Sequence, residues 1–258
     1  MEDLLLAVDV GNTQTVAGIY SGGGLKEHWR VATESHVTSD QLAASFTSLL
    51  ALAGFHMQDV GRMVVSSVVP GLMSPYEGLA ERYGEMRVLM VGPGTRTGLP
   101  ILTNNPHEVG ADRIVNAVAA REELGSPCIV VDFGTATTFC AISPGGEYLG
   151  GAIAPGLEVS LEALTEKAAR LSMVDLTDPG AAIGKTTASS LRSGVVLGFA
   201  GLVDGLVGRI RKELEADNVP TIATGGCASL VVQHTETLKR VDPLLTLKGL
   251  KLIDARNQ

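Results

Sequence analysis

"DVGNTQTVAGIYSGGG" at residues 9–24 and "DFGTATTFCAISPGGE" at residues 132–147 lie over each other with an offset of 123 residues and no gap. Asp9 falls on Asp132, Gly11 on Gly134, Thr15 on Thr138, Ile19 on Ile142, and Gly22-Gly23 on Gly145-Gly146. Each copy follows an apolar β-rich run, "LLLAV" or "CIVV", and continues into another, "TVAGIY" or "TTFCAI", then a glycine turn and a third strand-like segment. Two strand–turn–strand–turn–strand meanders are therefore expected, each with Asp-x-Gly in its first turn.

Outward from these meanders the pattern is mixed. "TSDQLAASFTSLLALAGF" has Thr38 or Ser39 placed to cap a helix and apolar residues at helical spacing. A strand at "RMVVSSVV", a helix near 74–83, a strand "RVLMV" and a helix from about Pro106 to Leu124 follow. After the second meander come helices near 156–170 and 187–215, a strand "VPTIAT", a short helix from Gly226 and a last helix near 244–255. Both halves read βββ followed by alternating α and β, an α/β fold made twice. The expected domains are 1–115 and 116–258, with a ligand cleft between them.

One glycine motif has to be set aside. "PGAAIGKTT" at 179–187 looks like a phosphate loop, but only Ala181, Ala182 and Ile183 separate Gly180 from Gly184. A P-loop has four residues there, and the polar "MVDLTD" before it is too short to be its buried feeding strand.

Composition narrows the partners. A formal charge of −8 and the absence of any Lys or Arg run exclude a nucleic-acid reader, which needs a clustered basic face. "MEDLLLAVDV" lacks the basic start and long apolar core of a signal peptide, and no uninterrupted apolar stretch approaches membrane-spanning length. A cytoplasmic protein with no membrane partner is expected. Cys128, Cys140 and Cys227 show no C-x-x-C spacing, and the five histidines are dispersed, so neither a disulfide framework nor a zinc site is indicated.

The paired turns suit phosphates. Gly11 and Gly134 let backbone N–H groups face an anion, and Asn12, Thr13, Thr15, Thr135, Thr137 and Thr138 add side-chain donors. A carboxylate beside phosphate is repulsive unless a cation lies between them, so Asp9 and Asp132 read as positioners of Mg²⁺, which takes one or two carboxylates together with substrate phosphates. The competing reading has each Asp cap its own turn. In "IATGGCA", Gly225 and Gly226 could let a planar base approach the backbone. In "HEVGADRIVNAVAA", Asp112 suits a helix N-terminus but Arg113 gains nothing there, and a substrate carboxylate would give it a bidentate partner.

Taken together, "DVGNT", "GADR", "DFGTATT", "GGAIAPG", "IGKTT", "ATGG" and "DPLLTLKGLKLIDARN", in this order, resemble the type III pantothenate kinases. These are members of the superfamily of acetate and sugar kinases, actin and Hsp70. The resemblance implies two similar ribonuclease H-like domains of the actin-like ATPase fold, and ATP-dependent phosphorylation of pantothenate to 4'-phosphopantothenate, the first step toward coenzyme A. It implies that Asp9, Val10, Gly11, Asn12, Thr13, Gln14, Thr15 and Val16, with Thr135, hold the ATP phosphates. Asp112 becomes the general base, within a pantothenate site of Gly110, Ala111, Asp112 and Arg113, and Thr187 a further substrate contact. Asp132 helps bind a monovalent cation, K⁺ or NH₄⁺, beside the Mg²⁺ at Asp9, and the family works as a homodimer. On the substrate side the chain departs from the pattern, with Thr103 where many members carry a tyrosine. The alternative is a non-catalytic regulator built on the same fold; the presence of Asp9, Asp112, Arg113, Asp132 and Thr135 favours the enzyme.

Overall fold

The computed structural model describes residues 4–168, 171–216 and 218–258. By their contacts these residues form two compact units: residues 4–98 with His107–Ala119 and Thr246–Gln258, and Leu99–Pro106 with the described part of 120–245.

The N-terminal unit is built on β1 (Leu4–Val10), β2 (Gln14–Ser21), β3 (Gly24–Ala32), β4 (Val60–Ser67) and β5 (Arg87–Met90), in the order β3-β2-β1-β4-β5. The first three strands form the antiparallel meander that the sequence predicts, and β4 and β5 add in parallel. Two helices, α1 (Ser39–Leu52) and α2 (Met73–Tyr83), supply Phe46, Leu50, Tyr76 and Leu79 to the core over the sheet. The start of α1 is fixed by Thr38: its hydroxyl accepts from the Gln41 N–H while the Gln41 amide oxygen accepts from the Thr38 N–H, satisfying two otherwise orphaned donors. After a short 3-10 turn at Pro106–Glu108 comes α3 (Ala111–Leu124), which starts five residues later than the sequence suggests. The Gly110 carbonyl opens the helix by accepting from the Ile114 N–H at 3.3 Å.

The C-terminal unit repeats the plan with β6 (Cys128–Phe133), β7 (Ala136–Ile142), β8 (Tyr148–Pro155) and β9 (Thr221–Thr224), in the order β8-β7-β6-β9 with β9 parallel to β6. Helices α4 (Leu157–Lys167), α5 (Thr187–Glu213) and α6 (Ala228–Val232) complete it. The expected end of α4, at residue 170, lies outside the described residues. By length and composition α5 could cross a membrane, with a mean hydropathy of 1.5. Its inward face, carrying Phe199, Ala200, Val203 and Val207, is buried in the core of this unit with Val131 and Phe139.

Two expectations need correction. The repeat is not free of gaps: Val10 pairs with Thr15 across the first hairpin, whereas Phe133 pairs with Thr137 across the second, so the second turn is one residue shorter. Thr15 therefore corresponds to Thr137 and Ile19 to Ala141. The adjacent threonines of "TATT" hid the deletion by offering a match in either register. Second, the compact units do not follow the 1–115 and 116–258 division. The last helix, α7 (Leu245–Arg256), packs within the N-terminal unit although it follows the second repeat, and α3 begins in one unit and ends in the other.

Glycine makes the docking of α7 possible. A Cβ on Gly249 would lie 2.2 Å from the Val115 carbonyl oxygen, and one on Gly18 would lie 2.8 Å from Leu247 Cδ1. The Arg62–Asp254 ion pair, its carboxylate mostly buried, then ties the helix to β4. Gly249→Ala should cost about 1 to 3 kcal/mol through overpacking, read as a lower urea midpoint with unchanged slope.

Candidate active site

In the N-terminal unit the acidic turn is held by its own backbone. The Gly11 N–H donates to the Gln14 carbonyl at 3.0 Å, and a Cβ on Gly11 would stand 2.9 Å from that oxygen, so only glycine fits. Asn12, Thr13 and Gln14 are exposed at the tip, free of the core and able to meet a ligand. Thr33 braces the turn from behind: its hydroxyl donates to the Gly11 carbonyl at 2.8 Å, and its N–H donates to the Thr13 carbonyl at 3.0 Å. Thr15 is buried, with its hydroxyl 2.9 Å from that of Thr33. Val10 is fully buried and its carbonyl accepts from the Val68 N–H, while Val16 pairs with Arg30 in the sheet. Of the expected stretch from Asp9 to Val16, the tip is what faces outward.

Asp9 stands at the end of β1, opposite Ser66 of β4, whose hydroxyl donates to its carboxylate at 2.5 Å. Burial pushes the Asp9 carboxyl up to about 6; the Asp112 charge raises it further, while the Ser66 hydrogen bond and Arg30 oppose the rise. Asp112 lies in the first turn of α3, and burial raises its pKa too, against the lowering effect of the Arg113 N–H, the Arg113 charge and its own N–H. A Cβ on Gly110 would come 2.5 Å from the Asp112 carboxylate and 3.7 Å from Val68, so glycine is needed where "GADR" passes the end of β4. Asp9, Gly110, Ala111, Asp112 and Arg113 thus share one unit, and the charge of Asp112 reaches Asp9.

This pairing fits a hard cation. Among the described residues no three His, Cys, Asp or Glu side chains gather to form a complete metal cage. Mg²⁺ does not need one, since it keeps several waters and takes one or two carboxylates with substrate phosphates. Cationic charge next to Asp9 would favour its ionised form against the burial, and the smaller effect of the Asp112 charge, that raise its pKa.

The C-terminal unit carries the second turn. The Gly134 N–H donates to the Ala136 carbonyl at 3.1 Å, and the Gly156 N–H, at the start of α4, donates to the Thr135 carbonyl at 3.0 Å. Three glycine elements meet on this loop. A Cβ on Gly156 would sit 2.4 Å from the Gly134 oxygen, and one on Gly225 would sit 2.5 Å from the Asp132 carboxylate and 2.6 Å from the Phe133 backbone. Gly225, with φ +94°, is therefore fitted to Asp132 and Phe133, and the neighbouring Gly226 is the exposed one of the pair. Asp132 is half-buried and Thr135 exposed. Thr137, read from the sequence as a phosphate donor, is instead fully buried, which follows from the shorter turn.

The remaining candidates are also in this unit. Thr187 is exposed in the first turn of α5, which Thr186 caps by accepting from the Ser189 N–H at 3.1 Å. Among the described residues no strand feeds "IGKTT", in keeping with its rejection as a phosphate loop. Thr103 is half-buried, with a buried hydroxyl that has no hydrogen-bond partner among the described residues. Sequence reasoning missed Ser66 and Thr33. A serine pair inside the apolar run "VVSSVV" was the available signal for the first; Thr33 gave none.

Two units of this topology, each carrying an Asp-x-Gly hairpin, define the actin-like ATPase and sugar kinase fold. Among solved structures, the chain resembles component A of the (R)-2-hydroxyglutaryl-CoA dehydratase of Acidaminococcus fermentans, at TM-score 0.58 and 15% identity over 99% of this chain and 100% of the other. It also resembles the inorganic polyphosphate/ATP-glucomannokinase of Arthrobacter sp. strain KM, at TM-score 0.54 and 15% identity over 99% and 100% of the two chains. The family model of the type III pantothenate kinases matches residues 5–209. The type III pantothenate kinase of Myxococcus xanthus is 49% identical over 98% of this chain and 99% of its own, and that of Streptomyces griseus 48% identical over 98% of each. The chain belongs to the type III pantothenate kinase family.

The electrostatics of Asp9 set a stability test. Its folded pKa lies above the unfolded value, so the contribution is fully present below about pH 4 and is lost as pH rises through about 6. Asp9→Asn should therefore be more stable than the unmodified protein at pH 8, by up to about 3 kcal/mol. Thermal melts of the two proteins at pH 8 and pH 4 should show this gain at the higher pH only.

Proposed function

We propose that this protein phosphorylates the primary hydroxyl of pantothenate with ATP, yielding 4'-phosphopantothenate. Family membership over nearly the whole chain supports the reading, and the observation that carries it is the Asp9–Asp112 pair beside a glycine turn with exposed donors.

An alcohol is a weak nucleophile, and phosphoryl transfer through a loose transition state asks mainly for alignment, charge neutralisation and a proton acceptor. In this reading Asp112 receives the hydroxyl proton as the O–P bond forms and the bond to the departing ADP breaks. Its raised pKa makes it a better acceptor than an exposed aspartate. The α3 N–H groups and Arg113 keep it ionised and oriented until then. Arg113 recognises the pantothenate carboxylate with Gly110 and Ala111 alongside, while Thr187 and Thr103 serve as further substrate contacts. The tip of the N-terminal turn, Asn12 to Gln14, and Thr135 of the C-terminal turn donate to phosphate oxygens. Gly226 offers its bare backbone to adenine. Mg²⁺, held by Asp9 through oxygen, would offset the charge of the phosphates. Asp132 gives one carboxylate to K⁺ or NH₄⁺, in keeping with a singly charged ion.

The reading also includes a homodimer and a cytoplasmic location. On the exposed face of α5, Gly194, Gly198, Gly201 and Gly205 leave open space where a Cβ would stand, room in which another backbone could approach. Gly201→Leu should halve the mass measured by light scattering if the dimer uses this face.

Purified protein with ATP, Mg²⁺ and pantothenate should form phosphopantothenate in potassium or ammonium buffer but not in sodium. Asp112→Asn should fold with no loss of melting temperature, since burial penalises the charge it removes, and lose about 10²- to 10⁴-fold in kcat. Undiminished turnover in that variant would remove Asp112 from the mechanism.

A further inference from the structure

An opening not used above lies wholly in the N-terminal unit, where α1 passes over the outer part of β2 and β3. It is a cavity of about 220 Å³. Three of the chain's ten aromatic side chains line it, Trp29, Phe46 and Tyr76, and the Glu34 carboxylate stands exposed at its rim. Thr15, Thr33, Gln41 and Ser45 add polar groups to its lining, and the Thr15 and Thr33 hydroxyls are already bonded to one another.

These features specify an occupant. A dry apolar cavity of about 150 Å³ takes a benzene ring, so this larger one has room for a fused bicyclic ring. Aromatic walls favour a planar ring packed by offset stacking or edge contact. A carboxylate at the rim, on a chain of formal charge −8, favours a cationic substituent and disfavours anions, nucleotides and pantothenate among them.

We propose that this cavity is an accessory site for a small planar aromatic cation, and that its occupant acts on the acidic turn. The route is short. Thr33 forms part of the cavity wall while its hydroxyl holds the Gly11 carbonyl at 2.8 Å and its N–H holds the Thr13 carbonyl at 3.0 Å. A ring pressed against Thr15 and Thr33 thereby favours one setting of the Gly11–Gln14 turn, and nucleotide bound at that turn changes the affinity for the ring by the same factor. The first half, binding, stands on the cavity alone; the second half rests on the phosphate-binding reading of the turn.

Trp29 is the only tryptophan, so protein grown with 5-fluorotryptophan has one ¹⁹F resonance, placed in the cavity wall. Titration with 2-naphthamidine should shift it saturably, with affinity at least about fivefold tighter than for neutral 2-naphthamide. Glu34→Gln should erase that difference. Ser45→Phe, which introduces a large side chain from an exposed lining position of α1, should abolish the shift. Absence of a saturable shift, a shift unchanged in Ser45→Phe, or equal affinity for 2-naphthoate would overturn the site. Adding ATP and Mg²⁺ should change the 2-naphthamidine affinity at least about threefold; an unchanged value would overturn the coupling. None of these readings requires turnover, so a chain without kinase activity that still shows the ¹⁹F shift would contradict the proposed function and leave the accessory site standing.

Discussion

Asp9 and Asp112 meet an energetic conflict on which the rest of the N-terminal unit depends. Both are withdrawn from water, the charge of the second raises the pKa of the first, and each remains useful only when ionised. The fold supplies partial compensation to each. Ser66 gives Asp9 a short hydrogen bond from the neighbouring parallel strand, and the start of α3 gives Asp112 two backbone N–H groups and a guanidinium. What remains uncompensated is the demand for cationic charge, and a magnesium–phosphate ligand would answer that demand.

Strict steric conditions hold this arrangement in place. Gly11, Gly110, Gly156 and Gly225 stand where a Cβ would meet a carbonyl oxygen, a carboxylate or the main chain at less than 3 Å. Because interiors are close-packed, such positions convert small backbone shifts into collisions, and the turns are correspondingly fixed. The hydrogen bonds of Thr33 extend that rigidity backward, from the tip of the first turn to the aromatic cavity under α1.

Much of this was legible in the chain. The apolar β-rich runs "LLLAV" and "TVAGIY" gave the meander, Thr38 or Ser39 marked the start of α1, and Asp-x-Gly twice over gave the paired turns. Local signals of this kind survive folding because the residues concerned pair with near neighbours. The misses share the opposite property. The one-residue deletion in the second turn was masked by adjacent threonines, and it decides that Thr137 is buried. The return of α7 to the N-terminal unit depends on Gly249 meeting Val115 and on Arg62 meeting Asp254, contacts between residues far apart in the chain. The fit of Gly225 against Asp132 and Phe133 likewise joins segments far apart in the chain.

The central claim is that Asp9 is an unusually weakly acidic carboxyl waiting for a cation, and it can be read directly from the ¹³Cγ resonance of that residue across a pH titration. The account requires a midpoint near 6 in the free protein, moving well below 5 once Mg²⁺ and a nonhydrolysable ATP analogue are added. A midpoint near 4 in both samples would contradict it.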